Sequence, residues 1–310
     1  MNFLALFQRL KTECGVSGST PTTVVGQAGE YGRLVSWVNS AWMDIQMMRQ
    51  DWDWMRTTAT FPTVTGQPIY TTTQIGLTDF GKWARDTFRN YANPTVTFSI
   101  ASPCVMTLQS HNLSVGDMVI PFTTGALPTG LTSGTTYYVQ SVPSADTVTL
   151  SATSGGSAIN TSGTQSGTHT ISSNNVLTYA GLRSEIFMPY IEYDEWRDGY
   201  EFGALRQTQT RPTVITITPN KSIGVGPFPI SGYTVLGDYY RVPTEMSANT
   251  DTPTLPTQFH MAIVYRAMMS YGAYESAAEV YQRGEAEFNR MIRRVLADRL
   301  PEISAGSALA

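Results

Sequence analysis

The chain has 310 residues, enough for about two domains and a full hydrophobic core. Only 14% of it is charged against 41% hydrophobic, and a net charge of −4 removes the basic surface on which free nucleic-acid binding relies. Two cysteines, Cys14 and Cys104, provide no disulfide framework. With three widely spaced histidines, His111, His169 and His260, they make no metal-ligand cluster, so neither metal nor cofactor is expected. The first eleven residues are too short and too soon charged for a signal peptide, and no apolar run approaches the roughly 20 residues that span a bilayer. The expectation is a soluble protein made in a reducing compartment, with no membrane association.

Leu4, Phe7 and Leu10 fall at helical spacing, which predicts a short helix from about Asn2 to Cys14 with Asn2 as its N-cap. From Gln27 to Met55, Tyr31, Leu34, Val38, Trp42, Ile45, Met48, Trp52 and Met55 recur in steps of three and four and predict one long amphipathic helix. So wide a stripe reads as core or subunit contact. Residues 57–71 then alternate and predict a β-hairpin turning at Gly66-Gln67, with Pro62 on an edge strand. Thr78 or Asp79 is a candidate cap for a short helix carrying Phe80, Trp83 and Phe88.

Between residues 100 and 172 the composition changes. The segment has no Lys or Arg, its acids are Asp117 and Asp146, and close to half of it is Ser, Thr and Gly. Short alternating runs at 104–108, 118–122, 136–140 and 147–150 predict a small antiparallel β-domain. The flanks, 1–99 and 173–310, read as one continuous domain into which 100–172 is inserted. After the insertion, strands are expected at 176–179, 186–191, 212–219, 222–226 and 233–243, with a short helix at 194–202. Phe259 to Leu300 keeps helical phase through Ile263, Ala267, Tyr271, Tyr274, Phe288, Ile292 and Leu296 and predicts a second long helix; Gly272 and Gly284 mark a bend or close packing. The fold class is α+β. The two long helices are expected to pair, and Trp42, Ile45, Trp52, Tyr271, Tyr274 and Phe288 are the expected core or subunit-packing residues.

No pattern specifies catalysis. The acids Glu185, Glu192, Asp194, Glu195, Asp198 and Glu201 are interleaved with Trp196, Tyr200 and Phe202, the pattern of a solvated face opposite a packed one rather than of paired catalytic carboxylates. Gly224-Val225-Gly226-Pro227 lacks the spacing of a dinucleotide loop. Arg290, Arg293, Arg294 and Arg299 cluster near the C-terminus, either as favourable charge at a helix end or as a contact for an acidic partner.

Several segments together resemble the head-to-tail adaptor proteins of tailed bacteriophages. They are 45–55 with the Thr-rich stretch after it, Arg211-Pro212-Thr213, Gly226-Pro227-Phe228-Pro229, 237–243, 251–256, 259–267 and 271–275, in that order. The inserted block, with 111–117, 127–131 and 134–139, resembles a small β-module of phage tail proteins. The resemblance implies a non-enzymatic virion protein at the neck, assembled in the host cytoplasm. It implies a homo-oligomeric ring, expected to have twelve subunits, that docks under the portal protein, extends the channel for passing genomic DNA without binding it, and offers a surface to a tail or nozzle protein. Arg290, Arg293, Arg294, Arg299, Ile303 and Leu309 are then the expected portal contacts. The other open reading is a tail-associated module that recognises a host glycan or receptor through the β-insertion.

Overall fold

The computed structural model describes residues 1–173 and 185–298. Its helices are α1 (Phe3–Glu13), α2 (Gly29–Met47), α3 (Thr72–Ile75), α4 (Tyr193–Trp196), α5 (Met261–Tyr274) and α6 (Ala278–Asp298). Its strands are β1 (Arg56–Pro62), β2 (Ile69–Tyr70), β3 (Phe80–Trp83), β4 (Arg89–Ala92), β5 (Thr95–Phe98), β6 (Val105–Thr107), β7 (Met118–Thr123) and β8 (Tyr137–Ser144). The series continues with β9 (Thr147–Ser151), β10 (His169–Ser173), β11 (Ile186–Phe187), β12 (Gln209–Thr210), β13 (Val214–Ile217), β14 (Ile223–Gly226), β15 (Phe228–Pro229) and β16 (Tyr233–Arg241). The chain divides into two units: residues 1–56 with the chain from 240 onward, and residues 57–239.

The first unit is helical. The Asn2 side chain accepts from the Ala5 amide at 2.9 Å and starts α1, which buries Phe3, Leu6, Phe7 and Leu10. Helix α5 packs against α1, α2 and α6 and carries Ala262, Ile263, Val264, Ala267 and Met268 into the core. Both long helices expected from periodicity are shorter. Helix α2 stops at Met47, and Trp52 folds back so that its indole Nε1 donates to the Ile45 carbonyl at 3.0 Å, satisfying an acceptor that the last helical turn leaves open. Apolar phase runs on to Met55 because Trp52 and Met55 enter the same core from a short 3₁₀ segment and its flank.

The expected helix over 259–300 is an antiparallel pair, α5 and α6, joined by Glu275, Ser276 and Ala277. Ser276 turns the chain with φ of 55°, and the Ala277 amide donates to the Gly272 carbonyl at 2.9 Å. The glycines serve the contact across this turn. A Cβ at Gly272 would lie 2.7 Å from the Tyr281 backbone nitrogen, and one at Gly284 would lie 2.9 Å from the Tyr265 carbonyl oxygen. Helix α2 packs on α5.

The second unit is built from β-sheet. Strands β5 to β10 close an antiparallel barrel in the order β10-β5-β6-β9-β8-β7. Its first and last strands pair, His169 opposite Val96 and Thr170 opposite Thr95, so the segment enters and leaves side by side. Val96, Phe98, Met106, Val119, Val139, Val148, Leu150 and Ile171 fill its interior. The barrel begins at Thr95, ahead of the compositional change at residue 100. Around it, β1, β16, β4 and β11 form a sheet that β3 joins through β16, β13-β14-β2 form a second, and β12 pairs in parallel with β15.

The hairpin expected over 57–71 does not form. Strand β1 pairs with β16 and β2 with β14, because each finds a longer partner from beyond the barrel. The short helix lies earlier than expected: α3 starts from a capping box at Thr71 and Gln74, while Phe80 and Trp83 lie on β3. The strand expected at 176–179 lies outside the described residues.

Two substitutions test the helical unit. Trp42→Ala removes a side chain with 2% exposure and is expected to cost about 3–5 kcal/mol in urea unfolding. Gly272→Ala gains about 1 kcal/mol of helix propensity but drives a methyl into the α6 backbone, for an expected net loss of about 1–2 kcal/mol.

Candidate interaction surfaces

Of the expected packing residues, Trp42, Ile45, Trp52 and Phe288 are buried in the helical unit. Tyr271 is half-buried. Tyr274 is not part of the core: it is 56% exposed as the last residue of α5, where the chain turns, which leaves the expectation of subunit packing open. The structure gathers Tyr274 into a surface group. The Arg33 guanidinium lies over its ring at 4.6 Å, Trp37 is tilted against it at 5.6 Å, and Tyr271 meets Trp37 edge-on at 6.0 Å. Arg33 Nε is buried with no hydrogen-bond partner, and Arg33 has no carboxylate partner among the described residues. Sequence reading missed this group because Arg33 is isolated along the chain and Tyr274 sits in helical phase with core positions.

Helix α6 turns Gly284, Phe288 and Val295 inward and leaves Arg290, Arg293 and Arg294 exposed. Arg290 pairs with Glu287, and Arg283, a helical turn earlier than that pair, reaches Glu13 on α1. Arg293 and Arg294 make no ion pair among the described residues and stand exposed about one turn before Asp298, the acid that ends the described part of the helix. Arg299, Ile303 and Leu309 lie outside the described residues.

The acidic segment has one packed side and one wet side. Helix α4 continues through a wider turn at Arg197–Glu201, and Trp196 is fully buried. Its rings seat on a glycine strand: a Cβ at Gly224 would meet Trp196 at 3.2 Å, and one at Gly226 would meet Tyr200 at 2.7 Å. Arg197 pairs with Asp194 and Asp198, and Arg85 and Arg89 hold Glu192 and Glu185. Glu195 and Glu201 have no cationic partner among the described residues, and Phe202 next to them is 68% exposed.

The groups that could do chemistry are dispersed or enclosed. A cleft of about 360 Å³ in the β-unit, lined by Phe61, Val64, Tyr70, Ile75, Met118 and Ile120 among others, holds no acid–base pair. Its one titratable group, the Tyr70 hydroxyl, is pushed well above its ordinary range by burial. Burial also pushes the Cys14 thiol up to about 12 and raises Cys104, so neither supplies a thiolate near neutral pH. Among the described residues no three His, Cys, Asp or Glu side chains gather to hold a metal ion, and no helix is long and apolar enough to cross a membrane.

The family model described as SU10 adaptor protein matches residues 128–308. The chain belongs to the SU10 adaptor protein family. It is therefore a phage structural adaptor and a component of the virion. The matched span runs from within the barrel through α5 and α6, and omits residues 1–127, where part of the sequence resemblance lies. No curated protein matches the chain.

One buried histidine leads to the expectation that stability depends on pH. His260 is fully buried, with Nε2 on the Leu255 carbonyl at 2.8 Å and Nδ1 facing the Met1 amine at 2.6 Å. Burial first, and the amine's charge second, hold it below 6.5 against the pull of the Leu255 bond. The unfolded chain takes up the proton first, so stability is full above about pH 6.5 and falls as pH drops below it. Urea unfolding followed from about pH 7.5 to 5.5 should show this loss, and His260→Gln should be less stable at the upper end with a shallower slope below.

Proposed function

We propose that this adaptor acts at the head-to-tail junction of the virion. It forms a ring, expected to have twelve subunits, beneath the portal protein. The ring extends the channel through which genomic DNA passes and gives a tail or nozzle protein its attachment surface. The observation that carries the reading is the exposed pair Arg293 and Arg294, without an ion pair among the described residues, near the end of α6 in a member of a phage adaptor family. With Arg290, Arg299, Ile303 and Leu309, this end of the chain is the portal contact in our reading, a basic and partly apolar segment offered to an acidic face. The block 100–172 is a separable β-module. Its near-neutral composition gives it little means of gripping DNA or of steering toward a charged partner.

Truncation after Leu300, alone and with Arg293→Ala and Arg294→Ala, tests the portal contact. The truncated chain is expected to keep its circular dichroism and to bind purified portal at least about tenfold more weakly, with a further loss for the arginine variants and an affinity that falls with salt. Undiminished portal binding would overturn the assignment. Adhesion of the isolated chain to host cells, abolished by deleting 100–172, would favour receptor recognition instead.

A further inference from the structure

We propose that Arg33, Trp37 and Tyr274 form a docking surface for the Glu201–Phe202 corner of a second copy of this chain. The inference rests on the ring reading above for its occupant, and it supplies the contact between neighbouring subunits which that reading leaves unassigned.

The first half of the contact has the composition of an interface anchor. Trp, Tyr and Arg dominate binding energy where they cluster, and here they are packed against one another at the helical surface. Tyr274 keeps 56% of its area in water although its ring is held in place by Trp37 and Arg33. The Arg33 guanidinium is fixed over that ring without a carboxylate among the described residues, and its Nε is shut off from water without an acceptor. An isolated guanidinium in this position is incomplete, because its planar fork is suited to a carboxylate.

The second half carries the complementary groups side by side. Glu201 has no cationic partner among the described residues, and the adjacent Phe202 is 68% exposed, with Leu205 behind it at 42%. The turn before the corner is anchored. The Phe202 amide donates to the Arg197 carbonyl at 3.0 Å, and Trp196 and Tyr200 seat the preceding turn on Gly224 and Gly226. A cation beside an exposed aromatic ring thus faces a carboxylate beside an exposed aromatic ring. The two surfaces are different patches of the same chain, so contact between copies is heterologous, the kind that closes into a ring when the rotation between copies allows it.

The test is the assembly state of the full chain by native mass spectrometry and sedimentation across a concentration series, for wild type, Arg33→Glu, Glu201→Arg, the double swap, Tyr274→Ala and Phe202→Ser. Each single charge reversal should raise the concentration for half-assembly by roughly tenfold or more, and the double swap should recover most of it. Tyr274→Ala and Phe202→Ser alter exposed rings, so weakened assembly with unchanged circular dichroism supports the contact even where a charge variant fails to fold. A wild type that assembles while the single variants assemble equally well overturns this contact and leaves the ring reading standing. A wild type that stays monomeric throughout overturns both.

Discussion

The helical unit depends on how close α6 can come to α5. Helix α5 is buried toward α1, α2 and α6 together, so its small residues decide which neighbour approaches and how far. Gly272 and Gly284 face each other's helices across the turn at Ser276, where any side chain would overlap backbone atoms. With that notch open, Phe288 and Val295 reach the core formed by α1, α2 and α5. The opposite face of α6 is thereby fixed toward solvent, and Arg293 and Arg294 are exposed as a consequence of the packing rather than of the local sequence. Burial of apolar area drives the arrangement, at roughly 25 cal/mol per Å², but the missing Cβ atoms select it.

The β-unit uses the same device with rings in place of a helix. Strand β14 offers a bare backbone at Gly224 and Gly226 to Trp196 and Tyr200, and Gly237 on β16 is in close contact with the Phe88 ring. A glycine in a strand weakens it unless something packs where the side chain is missing, and here an aromatic ring fills each position. Seating Trp196 in this way turns the acids of the same short segment outward. One contact therefore creates both the buried ring and the charged rim around Phe202.

The sequence was most legible where one face of an element met one core. The first helix and its Asn2 cap, barrel strands β6 to β9, and the alternation of 212–219 and 222–226 all lie within a few residues of where periodicity puts them, whereas β5 and β10, which close the barrel, were not expected. Helix ends were not legible, because apolar phase continues whenever the chain leaves a helix and re-enters the same core, as at Trp52 and across Ser276. Strand partners were hidden for a different reason. Strands β1 and β2 pair with strands that follow the barrel in sequence, and local alternation carries no information about so distant a partner. At the candidate surfaces, the arginines of α6 were visible as a cluster in one dimension. The group of Arg33, Trp37 and Tyr274 exists only once α2 lies against α5.

The segment that leads back into the helical unit shows what pattern reading cannot detect at all. Asn39 and Gln46 each use a side-chain amide as if it were a strand neighbour. Asn39 accepts from the Met246 amide at 3.1 Å and donates to its carbonyl at 2.9 Å, and Gln46 does the same with Thr244 at 3.1 and 3.0 Å. The two side chains are seven residues apart on α2, about 10.5 Å along the axis, while their targets are two residues apart on an extended chain, about 6.6 Å; the reach of the side-chain arms spans the difference. Beyond this clamp, Asn249 accepts from the Val24 amide at 2.8 Å, and the Phe3 amide donates to the Asp251 carbonyl at 2.7 Å. Met246 and Leu255 bury their side chains in the helical core, and the Thr, Glu, Ser, Asn and Asp around them are held by completing backbone hydrogen bonds, where leaving one unmade costs more than making it gains. Nothing in the spacing of Asn39 and Gln46 distinguishes them from solvated polar residues. Their role arises only when the returning segment lies across the helix, and the fold itself supplies the partner that makes those two amides specific.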